Sequence, residues 1–454
     1  MSYDWERSYS YLRRQREVKS DFSLRGIRIV IENLGPISKA EMVLGDYTAL
    51  IGPTNSGKTF ATLAVNRLVN SWSLFFGYYK LSFYIRIREQ LLKELHKNES
   101  SDLGKHIANL TNDGFFNSIK KEAEERFKEI VKNSFLSIFG LPQQDLVSFS
   151  NGGALASIEK EGEGRIKFNI SKKDFFTSVE VYKEYNAKLK EDLSKGTNSK
   201  KSTVQGRRFF YYLEKRLAYS SSAFYSIVGH IPAERMATMS AFTELMDFYA
   251  KSQGYRSIGS RDYPAFSKPT ISNFLGDYLQ AVDQRRRFRM SSKAEKLIEG
   301  KLSLLPDKIQ KLEYKHESHA VKPQAISSGI SQLIPLVVIT ESEMYPVLTV
   351  EEPEVNLHAN KHVEIADYLW SLKVPMFVTT HSDYFLMKMA HLWASQGKKK
   401  SKDLKTYFLN NGVITPLKIS ETGELDEIKT IGGVINSLVS EVNTKEGREP
   451  DVSS

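Results

Sequence analysis

There is no cysteine in this chain, so a disulfide framework, a thiolate metal centre and a cysteine nucleophile are all excluded. A long hydrophobic run is missing too. The most apolar stretch of the amino-terminal half, Leu68 to Ile87, is broken by Asn70, Ser71, Ser73, Lys80 and Arg86, which argues against a membrane span. The amino terminus carries Asp4, Glu6 and Arg7 where a signal peptide needs an apolar core, so none is expected. No internal repeat is evident, and no segment is long enough for an extended coiled-coil arm. What remains is a chain of 454 residues, enough for a large core and two lobes or domains. It reads as a cytoplasmic protein without a membrane partner.

Residues 52 to 59 read Gly-Pro-Thr-Asn-Ser-Gly-Lys-Thr, a complete GxxxxGK[ST] phosphate loop. It lies between an apolar run (Tyr47, Ala49, Leu50, Ile51) and a helix-like stretch from Phe60 to Val69, the context its mechanism requires. Gly52 and Gly57 let the backbone curl, so that the loop through Pro53, Thr54, Asn55, Ser56, Lys58, Thr59 and Phe60 can surround phosphate oxygens, with N–H groups from every one of these residues but Pro53. Lys58 supplies a mobile positive charge and the Thr59 hydroxyl a ligand for Mg²⁺. ATP with Mg²⁺ is the expected cofactor.

Three further elements follow. Residues 346 to 354, Pro-Val-Leu-Thr-Val-Glu-Glu-Pro-Glu, form a buried strand ending in two acids, the Walker B arrangement. Glu351 would hold Mg²⁺ through water and Glu352 would orient the attacking water; an ordinary exit turn is the plainer reading of Glu-Glu-Pro. Upstream, Ser327-Ser328-Gly329 opens an apolar helix, where a helix N-terminus attracts anions or Ser327 or Ser328 simply caps it. Downstream, Met376 to Ser382 is a short strand ending in His381, a residue that is structural or catalytic.

In order and spacing these elements resemble the ABC-type ATPases, in the soluble branch of SMC-like repair ATPases, RecF and the overcoming-lysogenization-defect family. Ile27 to Ile37, Ile231-Pro232-Ala233-Glu234-Arg235 and Glu351 to His358 are similar to that branch as well. The resemblance covers residues 25 to 60, 227 to 235 and 325 to 385. It implies that Ser327, Ser328 and Gly329 are a signature capping the nucleotide on a second subunit, and that His381 senses the γ-phosphate. A head-to-tail homodimer or higher oligomer sandwiching ATP is then implied. The chain departs from the pattern in having Glu351 where many members have Asp, Ser328 where the transporter type has Gly, and no evident glutamine loop. Glu234 and Arg235 stand in that place; Arg235 either contacts the γ-phosphate or pairs with Glu234, and the pairing is slightly favoured.

Acidic charge is in deficit. Net charge is +10 and the pI is about 9.2, which favours anionic partners or reflects an ordinary solvated surface. Between Lys188 and Arg216 there are nine Lys/Arg against three acids, with Phe209, Phe210, Tyr211 and Tyr212 inside the run. Arg285, Arg286, Arg287 and Arg289 surround Phe288, and Lys398, Lys399, Lys400 and Lys402 form a third group. Phosphate contacts with base stacking or solvated faces account equally for the first two; the third reads as an exposed loop. Nucleic acid is the expected partner class. After His381 no acidic cluster of a TOPRIM domain appears, nor any His-Asn-His arrangement, so a nuclease or effector would be a separate protein. This pattern resembles the ATPase subunits of prokaryotic antiviral systems of the PtuA type.

The expected organisation is an extension over 1–22, a nucleotide-binding lobe over 23–70, an insertion over 71–221 with helices and a β-hairpin (Ala154 to Ile170), and a lobe strand within 222–240. A helical lobe over 241–324, the signature, Walker B and switch-His part over 325–442, and a tail over 443–454 complete it. The fold class is α/β: a P-loop ABC-ATPase fold with a mostly parallel central sheet, a small antiparallel sheet and a helical lobe carrying the signature. Two other readings compete, a non-hydrolysing ATP-dependent scaffold or sensor and a transporter-type ATPase subunit. Changing Arg207 and Arg208 together to Ala is expected to weaken DNA binding and flatten its salt dependence, read from affinity against salt concentration; unchanged affinity and slope would make the cluster a solvated face.

Overall fold

The computed structural model describes residues 23–95, 111–147, 153–197, 212–213, 216, 227–235, 269–283, 290–304, 312–322, 325–397, 401–426 and 440. Arg207, Arg208, the cluster at 285–289, Lys398 to Lys400, the extension over 1–22 and the tail from 443 lie outside them. In chain order the elements are β1 (Ile27–Leu34), β2 (Ile37–Val43), β3 (Tyr47–Ile51), α1 (Lys58–Leu95), α2 (Asp113–Ser137), α3 (Gln143–Leu146), β4 (Ala154–Lys160), β5 (Gly164–Ile170), β6 (Phe175–Val181) and α4 (Lys183–Thr197). Then come β7 (Val228–Ile231), α5 (Pro269–Asp283), α6 (Ser292–Leu297), β8 (Lys301–Leu304), β9 (Leu312–His316), β10 (His319–Val321), α7 (Ser328–Glu341), β11 (Val347–Glu351), α8 (Ala359–Ser371), β12 (Met376–Thr380), α9 (Asp383–Ala394), β13 (Leu404–Asn410) and β14 (Val413–Leu417). The described residues fall into two compact units. One is drawn from Met1–Gly35, Leu63–Val228 and Tyr345–Val347, the other from Pro36–Thr62, Gly229–Met344 and Leu348–Ser454.

The second unit contains a sheet in the order β2-β14-β13-β3-β12-β11-β7. Its centre, β13-β3-β12-β11, is parallel; β14 returns antiparallel to β13 and lies parallel to β2. Every residue of β3, β11 and β12 is buried. Parallel strands covered on both faces have no solvent side to accommodate polar alternation, so these three appear in the sequence as short unbroken runs. Their carboxyl ends lead into Gly52, Glu352 and His381. The mixed α/β architecture with a parallel centre is the one expected.

The first unit contains the antiparallel order β6-β5-β4-β1. Ile166, Phe168 and Ile170 alternate inward along β5, and Phe168 stacks on Phe135 of α2 with ring centroids 4.9 Å apart. β6 is a third strand added to the expected hairpin. The boundary expected after residue 70 falls inside α1, because no proline interrupts the chain from Arg67 to Leu95 and Trp72, Phe75, Tyr79, Phe83 and Tyr84 are all buried.

The segment expected to be a helical lobe, 241–324, needs correction where it is described. It holds α5 and α6 but also the antiparallel sheet β10-β9-β8. Leu302 pairs with Tyr314 and both are buried, while Glu317 at φ +53° makes the reversal between β9 and β10. Strands of three to five residues carry too little alternation to be told from loop in the sequence. No helix among the described residues is long and apolar enough to cross a membrane.

One anchor fixes β3 within its unit. The Tyr47 hydroxyl lies 2.5 Å from the Leu372 carbonyl and 3.1 Å from that of Leu369, at the carboxyl end of α8. Lys402 Nζ donates to the Tyr47 hydroxyl at 3.1 Å and to the carbonyls of Trp370 and Leu372, placing a cation where the helix dipole favours one. Burial pushes the Tyr47 phenol above its ordinary range, so it stays a neutral donor. Tyr47→Phe is expected to cost about 1 kcal/mol by removing a buried hydrogen bond whose acceptors keep their other donors, seen as a melting temperature lowered by a few degrees.

Candidate functional site

The loop after β3 is shaped by what cannot fit. A Cβ on Gly52 would stand 2.4 Å from the Leu409 carbonyl oxygen of β13, so only glycine allows the approach. Asn55 at φ +61° and Gly57 at φ +104° turn the chain back, and Ala61 N–H bonds the Gly57 carbonyl at 3.0 Å as α1 begins. Pro53, Thr54, Asn55 and Thr59 are exposed, Ser56, Gly57 and Phe60 half-buried, and Lys58 buried. Lys58 Nζ donates to the carbonyls of Gly52 (3.0 Å) and Pro53 (2.8 Å), which holds the ammonium over the loop. Burial pulls its pKa down to about 8, although Glu352, Glu354 and Glu351 all favour the charge.

The two acids differ in surroundings. Glu351, the last residue of β11, is 3% exposed and accepts from Thr59 Oγ1 at 3.3 Å. On its other side His230 Nε2 of β7 lies 3.8 Å from Oε1, and His230 Nδ1 is 3.0 Å from Thr349 Oγ1. Glu352 is half-buried with φ +41°, a left-handed conformation that non-glycine residues adopt at a cost of about 1–2 kcal/mol. Its Oε1 lies 3.0 Å from His381 Nε2. That hydrogen bond, more than the nearby Lys58 and Arg235, holds the Glu352 carboxyl below its ordinary range against the opposing effect of burial. The other ring nitrogen, Nδ1, is 3.5 Å from Lys58 Nζ. A lysine only donates and a carboxylate only accepts, so the geometry makes Nε2 the donor to Glu352.

The corner carrying His381 is fixed by partners the sequence left unassigned. Glu354 Oε1 accepts from the His381 N–H (2.9 Å) and from Thr380 Oγ1 (2.5 Å). His362 Nε2 lies 3.0 Å from the Leu357 carbonyl, so Nδ1 is left to accept from Ser382 Oγ at 2.7 Å; that hydroxyl oxygen in turn caps α9 at Phe385 N. Arg235, fully buried, corrects the favoured pairing with Glu234: its guanidinium donates to the backbone carbonyls of Gln332, Pro232, Glu351, Glu352 and Pro353. Ser327 caps α7, its Oγ accepting from Ile330 N at 3.3 Å, so the plainer capping bond is present. Ser327 and Ser328 are nonetheless exposed and Gly329 half-buried. Lys58, Thr59, Glu351, Glu352 and His381 are brought together; for the signature residues the structure records only the cap and a close approach of Gly329 to Leu357.

These residues fit a nucleoside triphosphate with Mg²⁺. The Ser56 hydroxyl oxygen is buried in the loop without a hydrogen-bond partner among the described residues, and the loop's glycine geometry leaves its N–H groups for anionic oxygens. Thr59 and Glu351 offer adjacent hard oxygen donors, and Mg²⁺ characteristically takes one or two protein ligands and completes its shell from phosphate and water. Bound there, the ion would supply charge neutralisation of the phosphates. The protein's own part is separate: Lys58 places a cation over the loop and Glu352 presents a carboxylate that His381 keeps ionised.

No protein-family model matches the chain, and no curated protein matches it. Among solved structures it is similar to an SMC head bound to the C-winged-helix domain of ScpA, at 10% identity over 87% of this chain and 97% of that one, with a TM-score of 0.41. It is similar also to the SMC head domain from Thermotoga maritima (12%, 88% and 100%, TM-score 0.38) and to the recombination mediator protein RecF of the RecFOR pathway (11%, 87% and 100%, TM-score 0.33). Superpositions this loose add nothing to the site geometry. Gly52→Ala is expected to abolish binding of a nucleoside triphosphate and to lower the melting temperature, since the clash is with backbone; calorimetric titration and a melt check both.

Proposed function

We propose that this chain binds and hydrolyses ATP as an ABC-type ATPase, working as an ATP-gated dimeric clamp. The observation that carries the reading is the contact series Lys58–His381–Glu352, assembled from the carboxyl ends of three parallel strands with Thr59 and Glu351 alongside. Ligands of open α/β sheets bind outside those ends. Lys58 offsets the charge of the transferred phosphoryl group, Glu352 orients the attacking water, and His381 holds Glu352 and contacts the γ-phosphate. Thr59 and Glu351 hold the metal.

The exposed Ser327 and Ser328 and the half-buried Gly329 at the start of α7 support capping of a nucleotide on a second copy, and hydrolysis then opens the pair. A net charge of +10 supports action on nucleic acid, in repair or antiviral defence, with any cleavage performed by a partner nuclease.

Glu352→Gln retains size and hydrogen bonding but loses the charge on the carboxylate. It is expected to bind ATP as the wild type does, with turnover lower by about 10²–10⁴-fold, and to accumulate an ATP-dependent dimer in light scattering. Lys58→Ala serves as the non-binding reference. Ser327→Arg on the Glu352→Gln background is expected to abolish the dimer. Undiminished turnover in Glu352→Gln would remove the hydrolytic role, and assembly indifferent to ATP and to Ser327→Arg would remove the clamp.

A further inference from the structure

Arg235 has no solvent exposure, and its hydrogen bonds recorded here all end on backbone oxygen. Nε donates to Gln332 O (3.1 Å); Nη1 to Pro232 O (3.2 Å), Glu351 O (3.2 Å) and Glu352 O (3.3 Å); Nη2 to Glu352 O (3.4 Å) and Pro353 O (2.8 Å). Three of these carbonyls are consecutive and belong to the turn that presents Glu352. Of the other two, Pro232 O lies three residues before Arg235 itself, and Gln332 O lies in α7, one turn after the Ser-Ser-Gly segment; Gln332 Nε2 returns a bond to Ala233 O at 3.3 Å.

Resting on the reading of the site as an ATPase, we infer that Arg235 is a positioning residue for hydrolysis: it fixes the turn that aims the Glu352 carboxylate and ties that turn to the helix beginning at Ser328. The turn needs such a restraint. Glu352 is held at φ +41°, and a left-handed non-glycine residue persists only where its surroundings over-determine it. Successive carbonyls converging on one side repel each other unless a multivalent donor sits among them. A planar guanidinium with five N–H donors meets that demand, whereas a lysine ammonium offers three from a single point. The charge is expensive to bury and is opposed by burial even with Glu354 and Glu352 near, so the backbone oxygens it serves are what hold it in place. A second carboxylate of the same turn acts on the neighbouring strand β12: Glu354 accepts from the His381 N–H and the Thr380 hydroxyl, so both members of the Glu352–His381 pair have their backbone restrained.

The test uses the full chain with Mg·ATP, measuring nucleotide affinity, kcat, KM and melting temperature for Arg235→Lys and Arg235→Gln, alone and on the Glu352→Gln background. The expected result is ATP affinity within about twofold of wild type, kcat lower by at least about tenfold, and no further fall when Arg235→Lys is added to Glu352→Gln, as for residues acting through one group. A kcat within twofold of wild type overturns the inference, as does a loss confined to KM or repeated in full on the Glu352→Gln background. Arg235→Gln, which carries no charge into the core, answers if Arg235→Lys does not fold; failure of both to fold assigns Arg235 to stability and overturns the positioning role. Absence of turnover in the wild type itself is a distinct result, which refutes the hydrolase reading and the inference with it.

Discussion

The site depends on three strands that are buried on both faces. β3, β11 and β12 have no freedom to slide, since each is paired in register with its neighbour and a slip by one residue would exchange their two buried faces and undo the packing of every side chain it moves. The first residues beyond them are therefore fixed in space before any side chain is considered. Gly52, Glu352 and His381 occupy those places, one per strand, and parallel direction puts all three at the same edge of the sheet.

That edge concentrates charge. Lys58 and Arg235 face Glu351, Glu352 and Glu354 across short distances, and the two cations lie below their ordinary pKa because burial outweighs the attraction of the glutamates. Arg235 remains protonated at neutral pH at about 10, while Lys58, at about 8, holds the less secure charge of the two. An arrangement in which ionic groups are brought together at such cost, with a left-handed glutamate among them, concentrates strain where chemistry would use it.

Sequence made much of this legible because certain residue types have no substitutes. Glycine at 52 and 57, lysine at 58 and paired acids after an apolar run each answer a steric or electrostatic demand that the alphabet of side chains can meet in one way. Arg235 and Glu354 are harder to read, since apart from the Thr380 hydroxyl their partners are main-chain carbonyls and an N–H, which leave no trace in residue identity. The sheet β8 to β10 escaped for a different reason, its strands being shorter than the window in which a period of two becomes visible. Tyr47, which looks like one more apolar residue of β3, turns out to fasten a helix end through its hydroxyl. In the same way the length of α1 was hidden because a helix buried on most sides shows no polar face.

The position of the His381 ring also has an electrical consequence. It stands with Lys58 3.5 Å from one nitrogen and Glu352 3.0 Å from the other, and a ring of that width keeps the ammonium and the carboxylate from meeting. Were they to close into an ion pair, each would spend its charge on the other, and an incoming polyphosphate would have to break that bond before gaining anything from Lys58. His381 is thus a spacer between the two, so that neither the ammonium nor the carboxylate is spent on the other.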